Sequence, residues 1–258
     1  DAGSDAGSVR TRADRKGDGF VLNGRKRYIT NAPHAQLFTV FARTDPDAPG
    51  SRGVSAFLVP ADSKGLSLGK PEKKMGQQGA HVCDVIFEDV EVPADALLGG
   101  EKALHKGFLT AMKTLDRGRL HISALAVGCA ERLIEEATRY AAERNQFGQA
   151  IGEFQLVQAM LADSATEAYA AKTMVLDAAR QRDAGTDQAA LASRSKLFAT
   201  EMVGRVADRA VQIFGGAGYI EEYGIERFYR DVRLFRLYEG TSQIQQLIIA
   251  KALLKNVK

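Results

Sequence analysis

Tryptophan is absent from the 258 residues, and cysteine and histidine are scarce. The two cysteines, Cys83 and Cys129, lie far apart and outside any metal-like or redox-motif spacing. That pattern gives no disulfide framework and leads us to expect a reduced, intracellular setting. His34, His81, His105 and His121 are scattered and make no ligand cluster, so no metal site is expected. No apolar run approaches the ~20 residues of a membrane-spanning helix, and no secretory signal pattern is visible. A cytoplasmic location is expected, or the mitochondrial matrix in a eukaryote, without a membrane partner. Charge of one sign is not concentrated either: 35 basic and 32 acidic residues leave a net +3 spread along the chain. Without a basic block interleaved with aromatics there is no case for nucleic-acid binding.

The residues that are present suit a globular protein. Apolar residues make up 45% and charged residues 26%, ordinary proportions for a folded domain. A chain of this length can bury one large core or two modest ones. Its hydrophobic periodicity changes partway along. Short runs at 9–15, 19–22, 26–29, 37–42, 54–59, 66–70 and 82–87 read as strands, separated by Lys16-Gly17-Asp18, by Asn23-Gly24 and by a loop around Pro46, Pro49 and Gly50. The Asn-Gly pair predicts a hairpin, because both turn positions favour positive φ. From Ala103 onward the period lengthens to 3.6, predicting helices over 103–142, 153–184, 187–214 and 240–255 and a shorter one near 225–231. Asp187 is a plausible cap for the third. The expected class is α+β: a small antiparallel β-barrel or sandwich over residues 1–100, then a four-helix-type bundle over 101–258.

One segment is rich in chemical possibility. Tyr238-Glu239-Gly240-Thr241-Ser242-Gln243 places a carboxylate on a Gly-containing turn just before a helical pattern, with Thr241 and Ser242 suited to the N-cap. In a dry site such a glutamate can act as a base; in a wet one it simply complements the helix dipole. Asp116 and Arg119 have the spacing of an ordinary i,i+3 ion pair on a helix. Arg144-Asn145-Gln146-Phe147-Gly148 is a basic, polar turn whose arginine suits a pyrophosphate. Gln212-Ile213-Phe214-Gly215-Gly216 is Gly-rich, yet it lacks the preceding strand of a dinucleotide fingerprint. Its glycines fit either a helix C-cap or close approach by another molecule. Tyr28-Ile29-Thr30 fits strand-end aromatic packing.

These segments, together with Ala2-Gly3-Ser4-Asp5, Leu22-Asn23-Gly24-Arg25-Lys26 and Arg230-Asp231, occur in an order that closely resembles the acyl-CoA dehydrogenases, FAD-dependent enzymes that desaturate acyl-CoA thioesters. The resemblance spans essentially the whole chain. It implies an N-terminal helical domain ahead of residue 1, so the chain is expected to be a truncated piece. The same likeness makes Glu239 the base that removes the α-proton, while flavin N5 accepts the β-hydride. It places Ser4, Asp116, Arg119 and Gly240 beside the acyl-CoA. It assigns Tyr28, Ile29, Thr30, Arg144, Gln146, Phe147, Gln155, Gln212, Gly215, Gly216, Thr241 and Gln243 to FAD, with residues 212–216 against the FAD of a neighbouring subunit. A homo-oligomer follows, a tetramer or dimer of dimers, with an electron-transfer flavoprotein as electron acceptor. Relatives that carry the base on another helix would have it at position 118; Gly118 stands here, leaving Glu239 as the matching candidate, and the missing side chain is expected to leave room in the acyl pocket. Tyr28 replaces a common tryptophan, Phe154 a common histidine, and Asn145-Gln146 a common Lys-Thr. An acyl-CoA oxidase on the same fold and a non-catalytic apo fragment acting as an oligomeric scaffold are the alternatives. A relative that oxidises nitroalkanes normally uses aspartate as its base, which argues against that chemistry here.

Overall fold

A computed structural model describes residues 2–186 and 189–255, so the expected cap at Asp187 lies outside the described residues. The chain divides into two compact units, residues 1–114 and 115–258. Together they are a mixed α+β fold with a six-stranded sheet and a helical region.

In the first unit, β1 (Arg12–Lys16), β2 (Gly19–Thr30), β3 (Leu37–Arg43), β4 (Val54–Pro60), β5 (Leu66–Leu68) and β6 (Val82–Val92) pair in the order β4-β3-β1-β2-β6-β5. The sheet is not wholly antiparallel, as β1 meets β3 in parallel at Arg12↔Arg43. Alternation fills its core: Phe20 and Leu22 of β2 point inward with Phe57, Val85 and Phe87, and the Phe20 and Phe57 rings meet edge-on at 5.0 Å.

The Asn-Gly hairpin does not form. The turn is Gly17-Asp18, where Lys16 faces Gly19 across the β1–β2 pair, and β2 runs unbroken through Asn23-Gly24. A register shift against β6 between Leu22 and Gly24 marks a bulge. The cause is cross-strand: Asn23 donates to the Asp89 carboxylate at 3.0 Å and accepts the Asp89 N–H at 2.9 Å. Its amide is spent on the ladder rather than on a turn. Gly24, at φ +140°, lets the chain pass so near Thr11 that a Cβ would lie 2.9 Å from its Cα.

The helical unit draws on α1 (Gly107–Glu143), α2 (Gln155–Asp183), α3 (Ala189–Phe214), α4 (Ile225–Val232) and α5 (Ser242–Lys255), with a short hairpin of β7 (Asn145–Gln146) and β8 (Gln149–Ala150) between α1 and α2. The expected helices are all present, with ends shifted by up to a turn. One core joins α1 residues such as Ala126, Ala130 and Leu133 to Ala171 of α2 and to Ala199, Met202 and Val206 of α3. Small alanines let these helices pack closely, and α3 carries the largest share of buried residues.

Candidate active site

Within the helical unit, Glu239 sits on the turn that enters α5 with φ +55°, a left-handed conformation costly for a residue with a Cβ, and Gly240 follows at φ +84°. Three contacts hold this turn. The Gln245 amide donates to the Glu239 carbonyl at 3.1 Å and to the Gly240 carbonyl at 2.9 Å. The Lys196 ammonium, reaching from α3, donates to the Gly240 carbonyl at 2.7 Å. Lys196 and Gln245 are both 0% exposed. Thr241 caps α5, its hydroxyl accepting the Ile244 N–H at 3.3 Å. Ser242 donates to Glu201 at 2.5 Å.

The Glu239 side chain occupies the space left by Gly118. A Cβ at position 118 would lie 2.3 Å from Oε2 and 2.8 Å from Cδ. The room that the glycine provides is therefore filled by the carboxylate itself. Next to it, Arg119 is no surface residue: it is 6% exposed and donates to Asp116 Oδ1 at 2.6 Å. Among the described residues, neither Arg119 Nε nor Glu239 Oε2 has a hydrogen-bond partner. Burial raises the Glu239 pKa above the ordinary carboxylate value, against the opposing pull of Arg119, Lys196 and His121. Lys196 is pushed down to about 8 by burial, with Glu239 and Glu201 opposing that shift and Arg119 adding to it. The result is a poised carboxylate with a free oxygen, backed by cations and suited to taking a proton.

A recess of the same unit, about 390 Å³, brings Arg144 and Gln146 together with Gly215, Gly216, Tyr140 and Tyr223. The β7–β8 turn has positive φ at both Phe147 and Gly148, a twist that suits a two-residue hairpin. It leaves Phe147 94% exposed at its tip, edge-on to Phe154 at 5.9 Å. Gly215, at φ +60°, ends α3, and a Cβ on Gly215 or Gly216 would meet nothing within 4 Å. The recess thus offers a guanidinium, an amide and bare backbone, a donor set that fits a phosphorylated nucleotide. Gln155 opens α2 and Gln212 lies near the end of α3; both are exposed, as is Gln243.

In the first unit a recess of about 530 Å³ is lined by Gly3, Thr11, Arg25, Arg27, Tyr28 and Ile29 among others. Tyr28 falls in a second bulge of β2, between Lys26 and Ile29, with φ +57°. A bulge re-aims a side chain, and the ring is 60% exposed under the Arg27 guanidinium at 4.7 Å. Asp84 supports the bulge, accepting the Tyr28 N–H at 3.4 Å and Arg25 Nε at 2.7 Å. The Arg25 hydrogen bond holds the Asp84 carboxyl below its usual range. Ser4 and Thr30 are exposed.

Sequence reasoning passed over Lys196, Gln245 and Asp84. For Lys196 a signal existed: it lies on the face of α3 shared by Ala192, Ala199 and Val203, where a lysine breaks a run of small and apolar side chains. Among the described residues no group of three or more His, Cys, Asp or Glu is placed to hold a metal.

The pattern named "Acyl-CoA dehydrogenase, C-terminal domain" matches residues 105–254, and that named "Acyl-CoA dehydrogenase, middle domain" matches residues 1–90. The chain belongs to the acyl-CoA dehydrogenase family. It is 48% identical over 254 residues to the caffeyl-CoA reductase-Etf complex subunit CarC of Acetobacterium woodii and 47% identical to the 3-(aryl)acrylate reductase of Clostridium sporogenes, covering 98% of this chain and 66% of each relative. The butyryl-CoA dehydrogenase structure from Megasphaera elsdenii superposes with a TM-score of 0.94 at 39% identity, covering 98% of this chain and 65% of that one. The chain therefore spans about two-thirds of the length of these relatives.

Proposed function

We propose that the chain takes part in FAD-dependent α,β-desaturation of an acyl-CoA thioester, with Glu239 removing the α-proton. The observation that carries this reading is the Glu239 carboxylate: left-handed backbone, one oxygen without a partner, a pKa raised by burial, and a glycine opposite that makes room for it. The α-proton of a thioester is weakly acidic, so a base of raised pKa is the better match. Arg119, fixed by Asp116, keeps a cation beside the carboxylate and favours the ionised form that accepts the proton, and Gly240 lets the turn adopt its left-handed backbone. When bound, FAD supplies the acceptor for the hydride leaving the β-carbon. Arg144, Gln146, Phe147, Gly215 and Gly216 would hold its phosphate and nucleotide portions, with Gln155, Gln212, Thr241 and Gln243 as further contacts. Tyr28, Ile29 and Thr30 would hold the flavin ring, and Ser4 the substrate. The exposed Phe147 and the open Gly215-Gly216 backbone suit a neighbouring copy, hence a homo-oligomer. An electron-transfer flavoprotein is the proposed electron partner, as the name of the Acetobacterium relative pairs that protein with Etf.

The names of the two reductases favour a second direction for the same chemistry, in which Glu239 returns a proton to the α-carbon of an unsaturated thioester. An anaerobic titration with straight, branched and aryl-substituted acyl-CoAs, read at the visible flavin band, tests both. Bleaching by a saturated acyl-CoA that is lost in Glu239→Gln supports desaturation. Reoxidation of the reduced flavin by an aryl-acrylyl-CoA, with no bleaching by its saturated partner, supports reduction. A band indifferent to every acyl-CoA overturns both.

A further inference from the structure

We infer that Lys196 is a positioning residue for the Glu239 base, holding its turn by a hydrogen bond to the Gly240 carbonyl and keeping a buried positive charge beside its carboxylate. The inference rests on the proposed role of Glu239. A fully buried lysine requires an explanation, since an ammonium away from water is costly unless it has partners. Here its ammonium donates to a backbone carbonyl, that of the residue after the candidate base. A carbonyl needs no ammonium; the Gln245 amide already reaches the same oxygen at 2.9 Å. What the charge adds is electrostatic. The groups acting on the Glu239 carboxylate are Arg119 and His121 from α1 and Lys196 from α3, while Lys196 in turn feels Arg119, Glu239 and Glu201. Arg119 acts on the carboxylate while also paired with Asp116; Lys196 is the second buried cation acting on it, and the one that also holds the backbone of its turn.

Two consequences separate this role from mere packing. In Lys196→Met, which keeps the length and apolar stem, the carboxylate loses a stabilising cation, and the pH above which it works should rise by about one unit or more. By reciprocity, Glu239→Gln should lower the titration midpoint of Lys196.

The first is read in the FAD-loaded protein with an acyl-CoA carrying sulfur at the β-position, which can lose its α-proton but no hydride. Its charge-transfer band reports proton removal without turnover. A pH midpoint for that band raised in Lys196→Met supports the inference, and an unchanged midpoint in a folded variant overturns it. Absence of the band in the wild-type protein overturns the desaturation reading itself. The second is read by the 13C resonance of the Lys196 ε-carbon, needs no substrate, and stands even where Lys196→Met does not fold. A midpoint lowered in Glu239→Gln supports the coupling, and identical midpoints overturn it.

Discussion

Gly118→Ala isolates the geometry of the base from the stability of the fold. The added methyl carbon would stand 2.3 Å from Glu239 Oε2 and 2.8 Å from Cδ, so the carboxylate must retreat by about 1 Å to reach ordinary contact. The obstacle is the end of a flexible side chain, and the α1 backbone need not move. In a helix interior, alanine is favoured over glycine by ~0.8–1 kcal/mol, while turning the carboxylate off its rotamer costs about 0.5–1.5 kcal/mol. The two effects offset, and stability should stay within about 1 kcal/mol of wild type, or ~2–4 °C in Tm. Catalysis has no such compensation. A displacement of about 1 Å in a reacting group costs on the order of 10²-fold, roughly 2.7 kcal/mol of barrier. The assay is the rate of flavin reduction by saturating acyl-CoA in stopped flow, beside a thermal melt of the same preparation. A wild-type rate with an unchanged Tm would show that the carboxylate does not rest over position 118 during the reaction. A Tm drop of ~10 °C, roughly 3 kcal/mol or more, would show that the α1 backbone, not the Glu239 side chain, had yielded.

Arg144→Gln should lower the flavin-to-protein absorbance ratio after gel filtration while leaving the apo-protein melt within about 0.5 kcal/mol, since the residue is exposed. Asp84→Asn removes the negative charge facing Arg25 and one of the two oxygens that accept from Arg25 and the Tyr28 N–H. Because the folded-state pKa of Asp84 is lowered, its stabilisation is present above the unfolded value near ~3.9 and is lost as pH falls through the folded value. Melts across pH should therefore show a lower Tm than wild type at pH 7, with the gap closing under acid; a constant gap would refute the ionic origin. Gly24→Ala forces a Cβ to 2.9 Å from the Thr11 backbone at φ +140°, and chemical denaturation should show a loss of about 1–3 kcal/mol.

Periodicity made the helices legible, because Gly185 and the capping Thr241 punctuate long 3.6-residue patterns whose buried faces are contiguous in sequence. Strand positions were legible for the same reason, as with Phe20 and Leu22 alternating into the core. What local signals misjudged was set by partners distant in the chain. Asn23-Gly24 has every property of a hairpin turn, yet Asp89 on β6 claims the Asn23 amide, and the pair becomes a bulge inside one long strand. The second bulge, which presents Tyr28, carries no turn residue at all, since its anchor is Asp84. Likewise the i,i+3 spacing of Asp116 and Arg119 is as common on a solvated helix as on this buried one; only packing distinguishes them.

The properties of the base follow from the same non-local logic. Glu239 contributes a carboxylate, Gly118 the space it fills, and Lys196 the clasp on its turn, and none of the three implies the others in sequence. Together they set up a contest on one group: burial disfavours the anion, and Arg119, Lys196 and His121 favour it. Burial prevails, so the base becomes competent only above a pH higher than that of an ordinary carboxylate, and the acid limb of flavin reduction should lie in that raised range. A bound acyl chain that excludes water strengthens both sides, since desolvation and cation attraction grow alike as the local dielectric falls. Desolvation acts on Glu239 whatever its neighbours, whereas the attraction is shared with Asp116 through Arg119. The acid limb measured with substrate bound should therefore sit above that of the free protein. Coincident limbs in kcat and kcat/KM would show that the acyl chain leaves the carboxylate as wet as it found it.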